Sequence, residues 1–455
     1  MPSLLISPQK SPLHGSVPAP SDKSIGHRAL LVAALTTGTC ELRGFSRCED
    51  NLATARALQG LGIDVQGLEP GSRVVRVRGT GLFGLREPTA PLDCGNSGTT
   101  LRLLAGLLAG QPFATTLVGD RSLSGRPMAR VIEPLRARGG TLSGTPHPSR
   151  AGEVTAPLRV GPCPEDAPLS ALRYESPIAS AQVKSALLLS GLFAHGETVI
   201  HEPHVSRDHT ERLLSTLGVP VQAVGSLVSI DPAGWGGQMP PFDLDLPGDP
   251  SAAAFLVVAA QLVPGSRVSV RAVCTNPTRA GLLEIARDMG AGLEVRPLGD
   301  RGGEPVADLH AWHDPARALL AVRVGGEWVP RAIDELPALC ALATRAQGRT
   351  TVIDAAELRV KESDRIRELC RILRAFGVPC EELADGLEVE GVEGPLRACR
   401  VASGGDHRLA MTAVLLGLLA DGPCRVDDVA CIATSFPRFV GTMRALGAEI
   451  AVESD

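Results

Sequence analysis

The sequence predicts an α/β fold in two domains, built from one strand–helix–strand–helix–strand–strand unit used six times, three per domain. Three observations predict it. Helical runs close on glycine at Gly62, Gly139, Gly218, Gly290, Gly377 and Gly447, with gaps of 77, 79, 72, 87 and 70 residues. Glycine ends helices because it accepts a left-handed backbone without a Cβ clash, and a near-constant step marks a repeated unit. A second series, Gly38, Gly110, Gly196, Gly265, Gly348 and Gly422, runs 22 to 29 residues ahead of the first, so each unit holds two helices. The third observation is length, since 455 residues exceed what one core usually serves.

The first helix of each unit is apolar almost all round, as in Ala29–Leu35, Leu101–Leu108, Ala186–Phe193, Ala252–Leu262 and Leu409–Leu419. Such a helix is buried on all sides. The second, as in Thr210–Leu217 or Asp364–Phe376, carries charge on one face and belongs outside. Short β-branched runs such as Val74–Val77, Val268–Val273 and Leu387–Val392 read as strands. The Gly-, Pro- and charge-rich stretch Gly299–Trp328 reads as an insertion or long loop.

Hydrophobic content is 44% and formal net charge −5, which gives no basic excess for nucleic acid. One Tyr and three Trp argue against a base-stacking platform. No long apolar run predicts a membrane span, and no signal peptide is evident. Eleven scattered cysteines without a C-x-x-C pair fit reduced thiols and a cytoplasmic chain. Only four lysines, Lys10, Lys23, Lys184 and Lys361, stand beside 41 arginines. Base composition accounts for the arginine excess, but a retained lysine can mark a place where a compact ammonium matters.

Polar motifs gather where helices begin. Pro20-Ser21-Asp22-Lys23-Ser24-Ile25-Gly26-His27-Arg28, Asn96-Ser97-Gly98-Thr99-Thr100-Leu101-Arg102, Ser180-Ala181-Gln182-Val183-Lys184, Gly248-Asp249-Pro250-Ser251, Asp334-Glu335 and Gly405-Asp406-His407-Arg408 open the buried helices. Ser124-Gly125-Arg126-Pro127, Ser206-Arg207-Asp208 and Lys361-Glu362-Ser363-Asp364-Arg365 open surface helices. Helix N-termini offer free N–H groups and positive potential to anions. Ser363 or Asp249 alone reads equally well as a cap. Cations in a first turn oppose the dipole by about 0.3–1 kcal/mol each without an anion. Lys23, Arg102, Arg126, Lys361 and Arg365 repeat that breach, pointing to phosphate and carboxylate ligands. Lys184 can instead be a solvated edge residue.

Asp334 and Glu362, beside basic groups, are candidates for acid–base work, although Glu335 and Asp364 at helix starts also suit the dipole. His201, His204, His209 and Asp208 match no strong zinc spacing, so no metal site is predicted. No P-loop occurs, and Asn96–Thr100 resembles a phosphate loop only loosely.

Together these motifs resemble the enolpyruvylshikimate-phosphate synthase family, the 3-phosphoshikimate 1-carboxyvinyltransferases, over essentially the whole chain. The motif residues are Asp22-Lys23-Ser24 to Arg28, Gly95-Asn96-Ser97-Gly98-Thr99 to Arg102, Gly125-Arg126-Pro127, Ser180-Ala181-Gln182-Val183-Lys184-Ser185, Arg359 to Arg365 and Asp406-His407-Arg408. The resemblance implies a two-domain inside-out α/β barrel of six βαβαββ units. Residues 1–20 and 243–455 would form one domain and 21–242 the other, with a mobile double hinge. It implies transfer of the carboxyvinyl group of phosphoenolpyruvate to the 5-hydroxyl of shikimate 3-phosphate, without metal or cofactor, by a monomer. Lys23, Ser24, Arg28, Ser180, Gln182, Arg207, Asp334 and Lys361 would bind shikimate 3-phosphate. Lys23, Asn96, Gly98, Arg126, Gln182, Arg365 and Arg408 would bind phosphoenolpyruvate. Asp334, Glu362 and Lys23 would be catalytic.

Two departures from the family pattern stand out. Many members have two serines where this chain has Ser180-Ala181, and many carry a lysine where it reads Ile432-Ala433-Thr434-Ser435-Phe436-Pro437. Both resemble a bacterial subgroup that includes glyphosate-tolerant members. Gly98 nevertheless leaves room where tolerant members carry Ala, so glyphosate inhibition is expected. A sister enzyme acting on a UDP-amino sugar typically has Asn after the first lysine and a loop Cys. Here Ser24 follows Lys23, and Asp120–Arg126 has no Cys. A non-catalytic anion-binding module would not need Asp334 and Glu362.

Overall fold

A computed structural model describes residues 2–453. The chain divides into two compact units. The first comprises Met1–Pro20, Pro247–Asp300 and Pro305–Asp455, and the second Ser21–Leu246 and Arg301–Glu304. Helices of the second unit are α1 (Lys23–Ala34), α2 (Glu49–Gly60), α3 (Gly98–Leu108), α4 (Ala129–Ala137), α5 (Ala181–Gly191) and α6 (His209–Thr216). Those of the first are α7 (Pro250–Leu262), α8 (Gly281–Asp288), α9 (Trp328–Ala332), α10 (Leu336–Ala343), α11 (Arg365–Ala375), α12 (His407–Gly417) and α13 (Phe439–Ala445).

Among the described residues, six sheets have four strands each, and all six share one pattern: the first pair in the order is parallel and the next antiparallel. In the second unit the orders are Asp243–Asp245, Thr39–Arg43, Val74–Arg78, Asp64–Gln66; Leu92–Asp93, Thr115–Val118, Val154–Val160, Leu142–Pro146; and Ser170–Glu175, His195–His201, Leu227–Ile230, Val221–Val224. In the first they are His14–Pro18, Arg267–Cys274, Glu304–Trp312, Gly292–Arg301; Arg323–Val324, Arg349–Val352, Leu387–Glu390, Cys380–Glu382; and Arg400–Ala402, Cys424–Asp427, Ser3–Ile6, Ile450–Glu453. The N-terminal strands thus complete sheets whose other strands lie more than 200 residues away in sequence. Asp243–Asp245 does the same for Thr39–Arg43.

Every residue of α7, α10 and α12 is buried, and these helices pack on one another in the core of the first unit. In the second unit α3 and α5 pair so closely that a Cβ on Gly106 would meet the Ala186 carbonyl oxygen at 2.2 Å. The second helices bury one side only; in α11 that side is Arg365, Ile366, Leu369, Cys370, Ile372 and Leu373. All six glycines of the first series have positive φ, between 77° and 100°. Of the second series only Gly196, Gly265 and Gly348 do. Gly38, Gly110 and Gly422 instead sit where side chains crowd them, such as Pro241 at 3.0 Å and Phe193 at 2.4 Å from an added Cβ on Gly38 and Gly110.

The stretch Gly299–Trp328 is not one long loop. It ends one long strand, Gly292–Arg301, and supplies another, Glu304–Trp312, which pairs with Arg267–Cys274. Gly302 and Gly303, at φ 58° and 80°, form the turn. Val306, Leu309 and Ala311 are buried, whereas Asp308 and His310 are only half-buried, and those interposed polar residues hid the strand in the sequence. No described helix is long and apolar enough to cross a membrane.

Candidate active site

In the second unit, the expected site residues come from the starts of α1, α3 and α5 and the turns before α4 and α6. Asp22 caps α1 by accepting from the Ile25 amide at 2.9 Å. Lys23 follows as the first helical residue, and its Nζ lies 2.8 Å from Asp50 Oδ2 in the first turn of α2. One turn on, Arg28 donates to the Ser24 carbonyl (3.0 Å), Thr210 Oγ1 (2.8 Å) and Ser185 Oγ (2.7 Å). Burial pulls the Arg28 pKa down to about 10; Arg207 acts in the same direction and Glu211 opposes it. A buried guanidinium beside a second cation is a natural place for an anion.

Ser97 caps α3, accepting from the Thr100 amide at 3.1 Å. Asn96 is held between Asp120, to which it donates at 2.7 Å, and Arg126, which donates to its Oδ1 at 2.8 Å. Arg102 Nη1 donates to Gln182 Oε1 at 2.7 Å, and Gln182 Nε2 donates to Thr99 Oγ1 at 2.9 Å, joining the starts of α3 and α5. Ser180 caps α5, and its amide donates to Glu202 Oε1 at 3.1 Å. Arg207 lies half-buried in the turn before α6. The unit therefore groups Lys23, Ser24, Arg28, Asn96, Gly98, Arg126, Ser180, Gln182 and Arg207 on neighbouring helix starts and turns.

In the first unit, Asp334 stands between α9 and α10 with three cations around its carboxylate: Arg365 at 3.3 Å, Arg408 at 3.7 Å and Lys361 at 3.9 Å. Arg365 also holds Glu362 at 2.5 Å and Asp406 at 2.7 Å. Burial opposes the Arg365 charge, yet Asp406, Glu362 and Asp334 hold its pKa above the ordinary arginine range. Burial likewise opposes ionisation of Asp406, and Arg365 overrides it, holding the carboxyl below its usual value. Burial lowers the Lys361 pKa against the pull of Asp334. Asp334, Lys361, Glu362, Arg365 and Arg408 thus form one cluster, in which Asp406 also caps α12.

Several local expectations are corrected. Of the five cations, Lys23 and Arg365 open their helices, but Arg102 is the fifth residue of α3, and Arg126 and Lys361 precede α4 and α11. Helix α4 starts at Ala129, Leu123–Gly125 forms a separate 3-10 turn, and Glu153 Oε1 accepts from the Met128 and Ala129 amides at 2.8 Å. Lys184 is no solvated edge residue. It is 1% exposed, 2.8 Å from both Glu202 and Glu211. Glu335 stands at the N-cap of α10, where it is buried and accepts a hydrogen bond from Ser251. His201 and His209 turn to different carboxylates, Glu175 at 2.6 Å and Glu304 at 2.7 Å. Near the C-terminus, within the lysine-free segment Ile432–Pro437, Thr434 Oγ1 donates to the Cys431 carbonyl and bonds His407 Nδ1.

Sequence reasoning missed Asp50, the partner of Lys23, which reads in sequence as an ordinary acidic helix start. It also gave no role to Thr99 or Asp406. The motif containing Asp406 was visible, but its ion pair to Arg365 spans 41 residues.

The profile of EPSP synthase (3-phosphoshikimate 1-carboxyvinyltransferase) matches residues 8–443. The chain is 46% identical over 443 residues to a 3-phosphoshikimate 1-carboxyvinyltransferase of Geobacter sp. strain M21, covering 97% of this chain and 99% of that protein. It is also 46% identical over 440 residues to the Methylococcus capsulatus protein of that name, covering 97% and 96%. Among solved structures, EPSP synthase of Acinetobacter baumannii superposes with a TM-score of 0.86 at 38% identity, covering all of both chains. Helix-start motifs, mixed α/β fold in two units and full-length similarity agree: the chain belongs to the EPSP synthase family.

Proposed function

We propose that this chain transfers the enolpyruvyl group of phosphoenolpyruvate to the 5-hydroxyl of shikimate 3-phosphate, releasing phosphate, in the shikimate pathway toward chorismate and the aromatic amino acids. The observation that carries the reading is the full-length similarity to enzymes named for this reaction. The two clusters supply it with suitable groups. Lys23, Arg28, Arg126 and Arg207 in one, and Lys361, Arg365 and Arg408 in the other, suit two substrates that bear both phosphate and carboxylate.

Ser24 and Arg28 hold the shikimate carboxylate, and Ser180, Gln182 and Arg207 its phosphate. Asp334 and Lys361 address the ring hydroxyls. Lys23, Asn96, Gly98, Arg126, Gln182, Arg365 and Arg408 hold phosphoenolpyruvate. Asp334 accepts the proton of the 5-hydroxyl as its oxygen attacks C2 of phosphoenolpyruvate, while the methylene carbon gains a proton from Glu362 or Lys23. The tetrahedral adduct then returns a proton from that carbon to the Glu362 or Lys23 that gave one, the double bond reforms, and the C–O bond to phosphate breaks. Fixed cations stabilise charge growing on the departing phosphate. None of these steps calls on a metal or organic cofactor.

The six sheets of common pattern support a finer reading of the fold as an inside-out barrel of six βαβαββ units, three per domain. The domains are read as residues 1–20 with 243–455, and 21–242. The Ser180-Ala181-Gln182 motif supports reading the chain as a member of the bacterial Ser-Ala-Gln subgroup, and the protein is read as a cytoplasmic monomer. Glyphosate, an anionic competitor of phosphoenolpyruvate, inhibits it. The test is phosphate release from phosphoenolpyruvate with shikimate 3-phosphate, without acceptor, and with the UDP-amino sugar. Release only with shikimate 3-phosphate is expected. Release with the sugar alone overturns the acceptor assignment, and silence with both overturns the reaction.

A further inference from the structure

Lys184 is one of four lysines among 41 arginines, and it is buried. Its ammonium has three N–H groups and meets three acceptors: Glu202 Oε2 at 2.8 Å, Glu211 Oε1 at 2.8 Å and the Ser206 carbonyl at 3.1 Å. A tetrahedral ammonium matches that set, whereas a planar guanidinium with five donors does not. Glu202 is the node behind it. Its Oε1 accepts from the Ser180 amide (3.1 Å) and Ser206 Oγ (2.6 Å), and its Oε2 from the Ser206 amide (3.2 Å) as well as from Lys184. One carboxylate thus ties the cap of α5, which carries Ser180, to the turn carrying Arg207. The next residue, Ser185, bonds Arg28 at 2.7 Å.

We propose that Lys184, acting through Glu202, is a positioning residue that sets Ser180 and Arg207 in place for the phosphate of shikimate 3-phosphate before the substrate arrives. The inference rests on the assignment of Ser180 and Arg207 made under the proposed function. Lys184 touches no substrate in this scheme. Its ammonium neutralises Glu202, so that this carboxylate can stay buried while holding both segments.

Lys184→Met leaves two buried carboxylates without their cation, so it is combined with Glu211→Gln. Burial already pushes the Glu211 carboxyl up toward its neutral form, which Gln imitates. The double variant is expected to raise KM for shikimate 3-phosphate about tenfold or more, because small displacements of positioning groups are costly. KM for phosphoenolpyruvate at saturating shikimate 3-phosphate should change by less than about twofold. Lys184→Arg should raise the same KM, since charge without the ammonium geometry does not restore the node. Unchanged KM for shikimate 3-phosphate in a folded, active variant overturns the proposal and reduces the cluster to a structural staple. Absence of turnover in the unmodified chain would instead indict the functional reading.

A second measurement needs no variant. Hydrogen exchange of the unmodified protein should show the Ser180 and Ser206 amides protected in the free state. Free exchange there, with protection only after shikimate 3-phosphate or inorganic phosphate is added, overturns the proposal even if the double variant does not fold.

Discussion

Gly98→Ala probes a crowded point among the residues proposed to bind phosphoenolpyruvate. Gly98 is the first residue of α3, and its φ lies outside the left-handed region, so the backbone accepts Ala without strain. The cost comes from what an added methyl meets: Arg102 Nη1 at 2.8 Å and Arg126 Nη1 at 3.2 Å. Ordinary contact begins near 3.4 Å, so the Arg102 guanidinium must retreat by about 0.6 Å. It cannot do so freely, because it is buried and bonded to Gln182 at 2.7 Å and to the Pro127 carbonyl at 3.0 Å. A charge-assisted bond contributes about 1.5–3 kcal/mol, and partial loss of one gives about 1–2 kcal/mol. That corresponds to roughly a 5- to 30-fold rise in KM for phosphoenolpyruvate. The inhibition constant of glyphosate should rise at least as much if, as proposed, the compound competes with phosphoenolpyruvate beside Arg126 and Gly98. Steady-state kinetics at saturating shikimate 3-phosphate, with thermal unfolding as control, measures both. Unchanged KM and unchanged inhibition constant in a fully folded variant would refute the steric argument.

Asp334→Asn keeps the shape of the carboxylate while removing its basicity. It should lower kcat by about a hundredfold to ten-thousandfold while leaving shikimate 3-phosphate affinity by calorimetry within a few-fold; kcat near that of the unmodified chain would exclude Asp334 as the base. Lys361 has its pKa lowered by burial, so activity should fall as pH rises through a value below the usual lysine range. Over that window the unfolded chain holds more protons than the folded one, so folding stability should rise with pH while activity falls. Lys361→Arg should move the alkaline limb of the activity profile upward, and an unmoved limb would assign it elsewhere. Gly218→Ala isolates backbone strain, since Gly218 has φ 77° and nothing lies within 4 Å of an added Cβ. It should lower stability by about 1 kcal/mol in chemical denaturation without altering kinetics; no loss would show that the glycine is not required by its conformation.

The repeat was legible because its signals are local. Gly62, Gly139, Gly218, Gly290, Gly377 and Gly447 all adopt the left-handed conformation that glycine permits, a demand made by the chain around each one. The buried helices were legible for the same reason, since apolar residues on every face leave only the core as a destination. Lys23, Ser24, Arg28, Asn96, Gly98, Arg126, Ser180 and Gln182 stood out because helix starts have a recognisable polar grammar. Glu304–Trp312 was not legible, since Asp308 and His310 on its less buried face carry the polarity of a loop.

By itself, then, the sequence determined the mixed α/β class, the glycines that close helices, the helices that form the core and the short motifs that carry charge. Each of these depends on contacts within about one turn or one strand, where neighbours in sequence are neighbours in space. Only the tertiary structure decided which charges face one another. Lys23 meets Asp50 27 residues away, Arg365 meets Asp406 across 41, and Arg102 meets Gln182 across 80. Lys184 changed from a surface candidate to a buried node because Glu202 and Glu211 arrive from other elements. Electrostatic partners are chosen by packing, through low exposure and short distance, and the order of residues along the chain leaves both open.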